Sequence, residues 1–148
     1  MKLNHPFSVL YRREINLIRV IVVLLFFISG NLKWFSPEMQ LVDELTHDTW
    51  LSFLPGWLGQ DGTSYFLAVV QAAISVALLG GIVFPALGIA GGLAAIASAL
   101  ITLNLLPAAM SVSVVGLALK EILLGSAAAA IVYFDFRAFF HQRLVIIE

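Results

Sequence analysis

A chain of 148 residues that is 61% hydrophobic, only 11% charged and has a mean hydropathy of +1.00 is too apolar to be a water-soluble domain of this size. The formal charge of -1, with no basic run, excludes a nucleic-acid partner, and the absence of cysteine excludes disulfides, thiolate metal sites and thiol redox chemistry. From Gly62 to Leu119 there are 58 consecutive residues without Asp, Glu, Lys or Arg. A bilayer core takes about 20 apolar residues per helical crossing, so this stretch holds two spans and most of a third.

The first span is expected at about 15–35. Its apolar run is followed by Asn31, Lys33, Trp34 and Phe35 rather than by the small residues of a cleavage site, so it is read as a retained helix. Only 13 uncharged residues separate Arg19 from Lys33. Snorkelling of Arg19 to one interface and Lys33 to the other is the expected solution.

An external loop is expected over 36–63. Ser36-Pro37-Glu38 supplies a cap residue, a first-turn proline and an early acid, which together signal a helix start. Leu41, Val42 and Leu45 follow at helical spacing, with Asp43, Glu44, His47 and Asp48 opposite. Trp50, Phe53, Leu54, Trp57 and Leu58 extend an apolar and aromatic patch. This predicts an amphipathic external helix on the outer membrane face, a position from which it could also cover a site in the bundle.

The remaining spans are expected at about 64–84, 86–106 and 112–134. Pro85 separates the second from the third; Pro107, Ser111 and Ser113 separate the third from the fourth. The fold class is therefore all-α: a four-transmembrane-helix bundle in one integral membrane domain, 1–148. Gly88, Gly91, Gly92, Ala95 and Ala99 on the third span, Ala73, Ala77 and Gly81 on the second, and Ser126 to Ala130 on the fourth provide small surfaces for close packing in lipid. A homo-oligomer built on such a stripe is compatible with the pattern, but internal packing explains it more simply.

Lys2, Arg12, Arg13 and Arg19 precede or open the first span, and Arg137 and Arg143 follow the fourth. The 36–63 connection carries Glu38, Asp43, Glu44, Asp48 and Asp61 and no lysine or arginine. This asymmetry predicts that both termini face the cytoplasm.

Counting helical rise, polar residues of all four spans fall in the outer half: Asn31 and Lys33, Gln71, Thr102 and Asn104, and Lys120 with Glu121. The inner half reads as almost purely apolar. A charge inside a span costs about 2.5–3.5 kcal/mol or more and normally faces a partner or a wet cavity. Sequence neighbours on a helix point about 100° apart, so Lys120 and Glu121 are expected to seek partners on other helices rather than each other. Two readings follow: a polar network that fixes helix register, or an outward-opening pocket for a small polar ligand or the head of a quinone-like lipid. His5 and His141 lie at the inner ends and His47 in the loop, so no haem ligation is expected. No metal-ligand spacing and no nucleophile–base set is present.

G-N-L-K-W-F-S-P-E at Gly30 to Glu38, D-E-L-T-H-D-T-W-L at Asp43 to Leu51, T-L-N-L-L-P at Thr102 to Pro107 and G-L-A-L-K-E-I-L-L at Gly116 to Leu124 resemble the YkgB/RclC-like family of small bacterial inner-membrane proteins. That family is similar in turn to DoxX-like four-helix membrane proteins, some linked to quinone-dependent oxidation. The resemblance covers about residues 17–134. It implies a cytoplasmic-membrane protein that contributes to resistance to reactive chlorine species such as hypochlorite, with Lys33, Glu38, Lys120 and Glu121 as its polar signature. The chain departs from the family pattern at Gln71, where an acid is usual, and at Glu121, where aspartate is common.

The expected function is thus a non-catalytic stress-response protein without a cofactor, acting through a pocket of Asn31, Lys33, Glu38, Gln71, Thr102, Asn104, Lys120 and Glu121. The competing readings are a quinone-linked oxidoreductase subunit and a small transporter. The lipid bilayer is the partner that the composition requires.

Overall fold

The computed structural model describes residues 6–47, 49–106 and 112–145. Five helices follow in chain order: α1 (Pro6–Leu32), α2 (Ser36–His47), α3 (Phe53–Gly80), α4 (Pro85–Leu105) and α5 (Val112–Val145). No strand occurs among the described residues. All but α2 are long and apolar enough to cross a membrane. The molecule is a four-transmembrane-helix bundle in which α1 packs on α3, α3 on α4, α4 on α5 and α5 back on α1, with α2 laid against α3.

Each crossing helix buries one stripe at three- and four-residue spacing. On α1 the stripe is Ile15, Arg19, Val22 and Phe26; on α4 it is Gly88, Gly92, Ala95 and Ala99; on α5 it is Glu121, Leu124, Ala128, Ile131 and Asp135. The opposite faces are as apolar as the core. Leu17, Ile21, Leu24 and Ile28 of α1 and Leu119, Ile122 and Leu123 of α5 are all more than half exposed. An apolar belt of that extent would aggregate in water and is the surface that lipid requires.

Because lipid is as apolar as leucine, association rests on close packing and polar contacts rather than on hydrophobic transfer. The small residues expected on α4 supply that packing: Gly88, Gly91, Gly92, Ala95 and Ala99 are all buried. On α3 the expected Ala73 is exposed instead, and Ala68, Ile74 and Leu78 make the buried contact. On α5 Ala128 is fully buried while Ser126 is exposed.

The α4 bounds agree with the expected 86–106 within one residue. Elsewhere the boundaries differ for identifiable reasons. α1 stops at Leu32, and Lys33 lies in the turn that follows. α3 begins at Phe53, inside the expected loop, but is broken at Gly59, whose φ of 73° and ψ of 173° are not helical. The crossing proper is therefore 60–80, and 53–58 is a short preceding helical piece. α5 runs to Val145 rather than 134, because no Gly or Pro follows Phe134 and a charge alone does not stop a helix. Between α3 and α4 the chain turns on its own backbone, with the amides of Val83 and Phe84 both donating to Gly80 O, before Pro85 opens α4.

Candidate functional site: two ionic layers in the bundle

The largest departure from the sequence reading lies at the end of the bundle where the described chain begins and ends. Arg19 does not snorkel to the interface. It is 1% exposed, and its Nη2 donates to Asp135 Oδ1 at 2.5 Å while Nη1 donates to Leu78 O at 3.0 Å. Asp135 is 6% exposed. The inner half is thus not purely apolar, because a buried ion pair joins α1, α3 and α5. Arg19 turns inward because it shares the stripe of Ile15, Val22 and Phe26, so its side chain points into the bundle toward Asp135 rather than outward to the headgroups.

The pair needs space that only small residues leave. A Cβ at Gly81 would collide with the Arg19 guanidinium, and one at Gly88 with the Asp135 carboxylate. Those glycines lie just past the end of α3 and in the first turn of α4. The cation therefore sits at a helix C-terminus and the anion at a helix N-terminus, the signs that the helix dipoles favour. Arg19 Nε and Asp135 Oδ2 are also buried, with no hydrogen-bond partner among the described residues.

The polar residues expected in the outer half fall about four helical turns away. Lys33 is 14 residues from Arg19, Thr102 is 14 from Gly88, and Glu121 is 14 from Asp135. At about 1.5 Å per residue each separation is roughly 21 Å, and 14 residues return a helix close to the same face. Between the two layers the buried side chains among the described residues are Val22, Val23, Phe26, Ile74, Leu78, Ala95, Ala99, Leu124, Ala128 and Ile131, together with the polar Ser75, whose hydroxyl donates to Gln71 O at 2.9 Å.

Within the outer layer the expected pocket residues are not all brought together. Glu121 is buried at 6% exposure, and Lys120 Nζ lies 3.1 Å from its Oε1. The two do pair along their own helix. The expectation from the 100° offset fails because the four-carbon lysine stem is long enough to reach back across it, and the Lys120 side chain stays 40% exposed. Gln71 is half-buried beside Gly30 of α1, and its Oε1 is buried with no hydrogen-bond partner among the described residues. Thr102 is half-buried and donates to Ser98 O on its own helix at 3.0 Å. Asn31 is exposed and donates to Phe27 O at 2.8 Å; Asn104 is exposed. Lys33 is half-buried, and its carbonyl accepts from Ser64 Oγ at 2.8 Å. Next to it Trp34 stacks on Tyr65 at 4.7 Å between ring centres, so the end of α1 is fastened to α3. The Glu38 side chain lies outside the described residues.

Arg19 and Asp135 are the residues that sequence reasoning missed as a pair. The signal was present: Arg19 interrupts an apolar run, and Asp135 ends the uncharged run that starts after Glu121. What was lacking was the topology that puts α1 beside α5. No family model, no curated protein and no solved structure matches the chain.

Proposed function

We propose that this chain is a non-catalytic protein of the bacterial inner membrane that contributes to resistance to reactive chlorine species. The lysine and arginine distribution supports an orientation with both termini in the cytoplasm and the 33–60 segment outside. In that orientation α2 lies on the outer face, with Val42 and Thr46 buried and Glu44 and His47 exposed. Trp50, Phe53 and Trp57, the last 83% exposed, then anchor the segment at the headgroups.

The observation that carries the functional reading is chemical. The four crossing helices contain no sulfur atom: cysteine is absent, and Met1, Met39 and Met110 all fall outside the spans. Thiols and thioethers are the protein groups that oxidants convert most readily, so this bundle persists where a sulfur-containing one would be damaged. Within it, Glu121, with its half-exposed partner Lys120, is the buried ionisable group nearest the proposed outer face, and it is the working site of the proposal.

Survival in hypochlorite tests both parts. Cells carrying the protein are expected to outgrow cells lacking it, and Lys120→Met and Glu121→Gln at equal membrane abundance are expected to lose most of the advantage. No advantage from the wild-type chain overturns the function; full protection by both variants overturns the site.

A further inference from the structure

Arg19 turns into the bundle; Arg12, two turns earlier on the same stripe, and Arg13, turned toward the side of Leu17 and Val20, are exposed near the start of α1. Below them on the outer side of α1 lies an open groove with a free volume of about 370 Å³, lined by Arg12, Arg13, Asn16, Leu17 and Val20. The order of these residues along the helix is chemical as well as spatial: two guanidinium groups, then an amide, then branched apolar side chains. Ile21, Leu24, Leu25 and Ile28 continue the exposed apolar track toward the middle of the span.

The level of the groove in the bilayer can be read from α5. The Arg19–Asp135 pair puts residues 19 and 135 at one height. Tyr133, Phe136 and Phe140 are each more than half exposed, and Arg137 lies over the Tyr133 ring at 5.8 Å. Tyrosine, with its amphipathic ring, gathers at the boundary between hydrocarbon and headgroups, and the arginine beside it carries a head that must reach water. By residue count Tyr133 and Arg137 mark the heights of residues 17–21 on the antiparallel α1. Leu17 and Val20 therefore lie within the boundary, with Asn16 at its edge and Arg12 and Arg13 beyond it, where lipid phosphates are found.

We propose that this groove is a binding site for an anionic phospholipid, with the phosphate held by Arg12 and Arg13 and one acyl chain lying along Leu17, Val20, Ile21 and Leu24. Guanidinium groups suit the task because their fixed fork of N–H donors matches phosphate oxygens two at a time. Asn16 adds an amide donor at the depth of the glycerol esters. A zwitterionic lipid offers the same phosphate but brings its own cation to the arginines, so the site discriminates by net headgroup charge. The site is separate from the Lys120–Glu121 layer and stands whether or not that layer serves oxidant resistance.

The test is native mass spectrometry of the purified full chain, released from nanodiscs that contain equal phosphatidylglycerol and phosphatidylcholine. The wild-type protein is expected to retain phosphatidylglycerol selectively. The exposed double variant Arg12→Gln/Arg13→Gln is expected to bind it about 25-fold more weakly, from about fivefold for each arginine at a membrane surface. Arg137→Gln is the control and should keep the preference, since Arg137 is engaged with Tyr133 on another helix. Equal helicity by circular dichroism establishes that each variant is folded. Equal retention of the two lipids by the wild type, an undiminished preference in the double variant, or an equal loss in Arg137→Gln would each overturn the proposal. A separate arm offers inorganic phosphate in lipid-free detergent. Binding there as tight as that of phosphatidylglycerol reassigns the groove to free phosphate and overturns the lipid assignment.

Discussion

Asp135 shows how strongly one buried charge depends on its partner. Replacing it with Asn or Leu leaves the Arg19 guanidinium enclosed without a counter-charge, a change that costs about 3–5 kcal/mol where a buried pair is broken from one side. Replacing both groups by apolar residues of similar volume removes the two desolvation costs together. We therefore expect Asp135→Leu to melt well below wild type in detergent, and Arg19→Met/Asp135→Leu to recover most of the loss. A single variant that melts like the wild type would mean that the pair contributes nothing to stability. Lys120 and Glu121 pair along one crossing helix, with the carboxylate buried and the lysine side chain 40% exposed on the side of Leu119 and Leu123, so substituting either one alone is also expected to lower the melting temperature.

Among the elements, the α3–α4 hairpin depends most on what its sequence omits. Its turn is wholly apolar, with Val83 and Phe84 exposed, and it closes over the ion pair through Gly81 and Gly88. A methyl group at Gly88 would enter the Asp135 carboxylate, so Gly88→Ala should destabilise by about 1–3 kcal/mol despite the better helix propensity of alanine. Gly116 on α5 is the matched control. Among the described residues nothing lies within 4 Å of a Cβ there, and Gly116→Ala should be neutral or stabilising by up to about 1 kcal/mol. Thermal midpoints of the two variants that move together would contradict the packing argument. The kink at Gly59 has another origin, its positive φ. With ψ at 173° this backbone lies in the region open essentially to glycine alone, and alanine there is expected to cost about 1–3 kcal/mol by backbone strain.

At the scale of the whole molecule, four crossings return the described chain to the side from which it started. Reporter fusions at the two ends should therefore report the same compartment, which the orientation proposed above predicts to be the cytoplasm. Opposite reporter signals would require an odd number of crossings. Between the two ionic layers the buried side chains of the described residues are apolar apart from Ser75, whose hydroxyl is tied to Gln71 O.

Composition and hydropathy were sufficient for the fold class, because lipid demands that every crossing satisfy its own backbone and a helix of about 20 apolar residues does so locally. The Pro85 boundary and the small-residue stripe of α4 were legible for the same reason: their effects act within one helix or one close contact. The depth of Lys33, Thr102 and Glu121 was legible too, since helical rise turns residue number into height. Azimuth and neighbours were not. Whether Arg19 faces water or Asp135, and whether Lys120 reaches another helix or its own neighbour, depends on which helices stand side by side and which face each turns inward. Only the closed ring of α1, α3, α4 and α5 decides that, because a charge in a bilayer goes to the best partner within reach, and reach is a property of the tertiary structure.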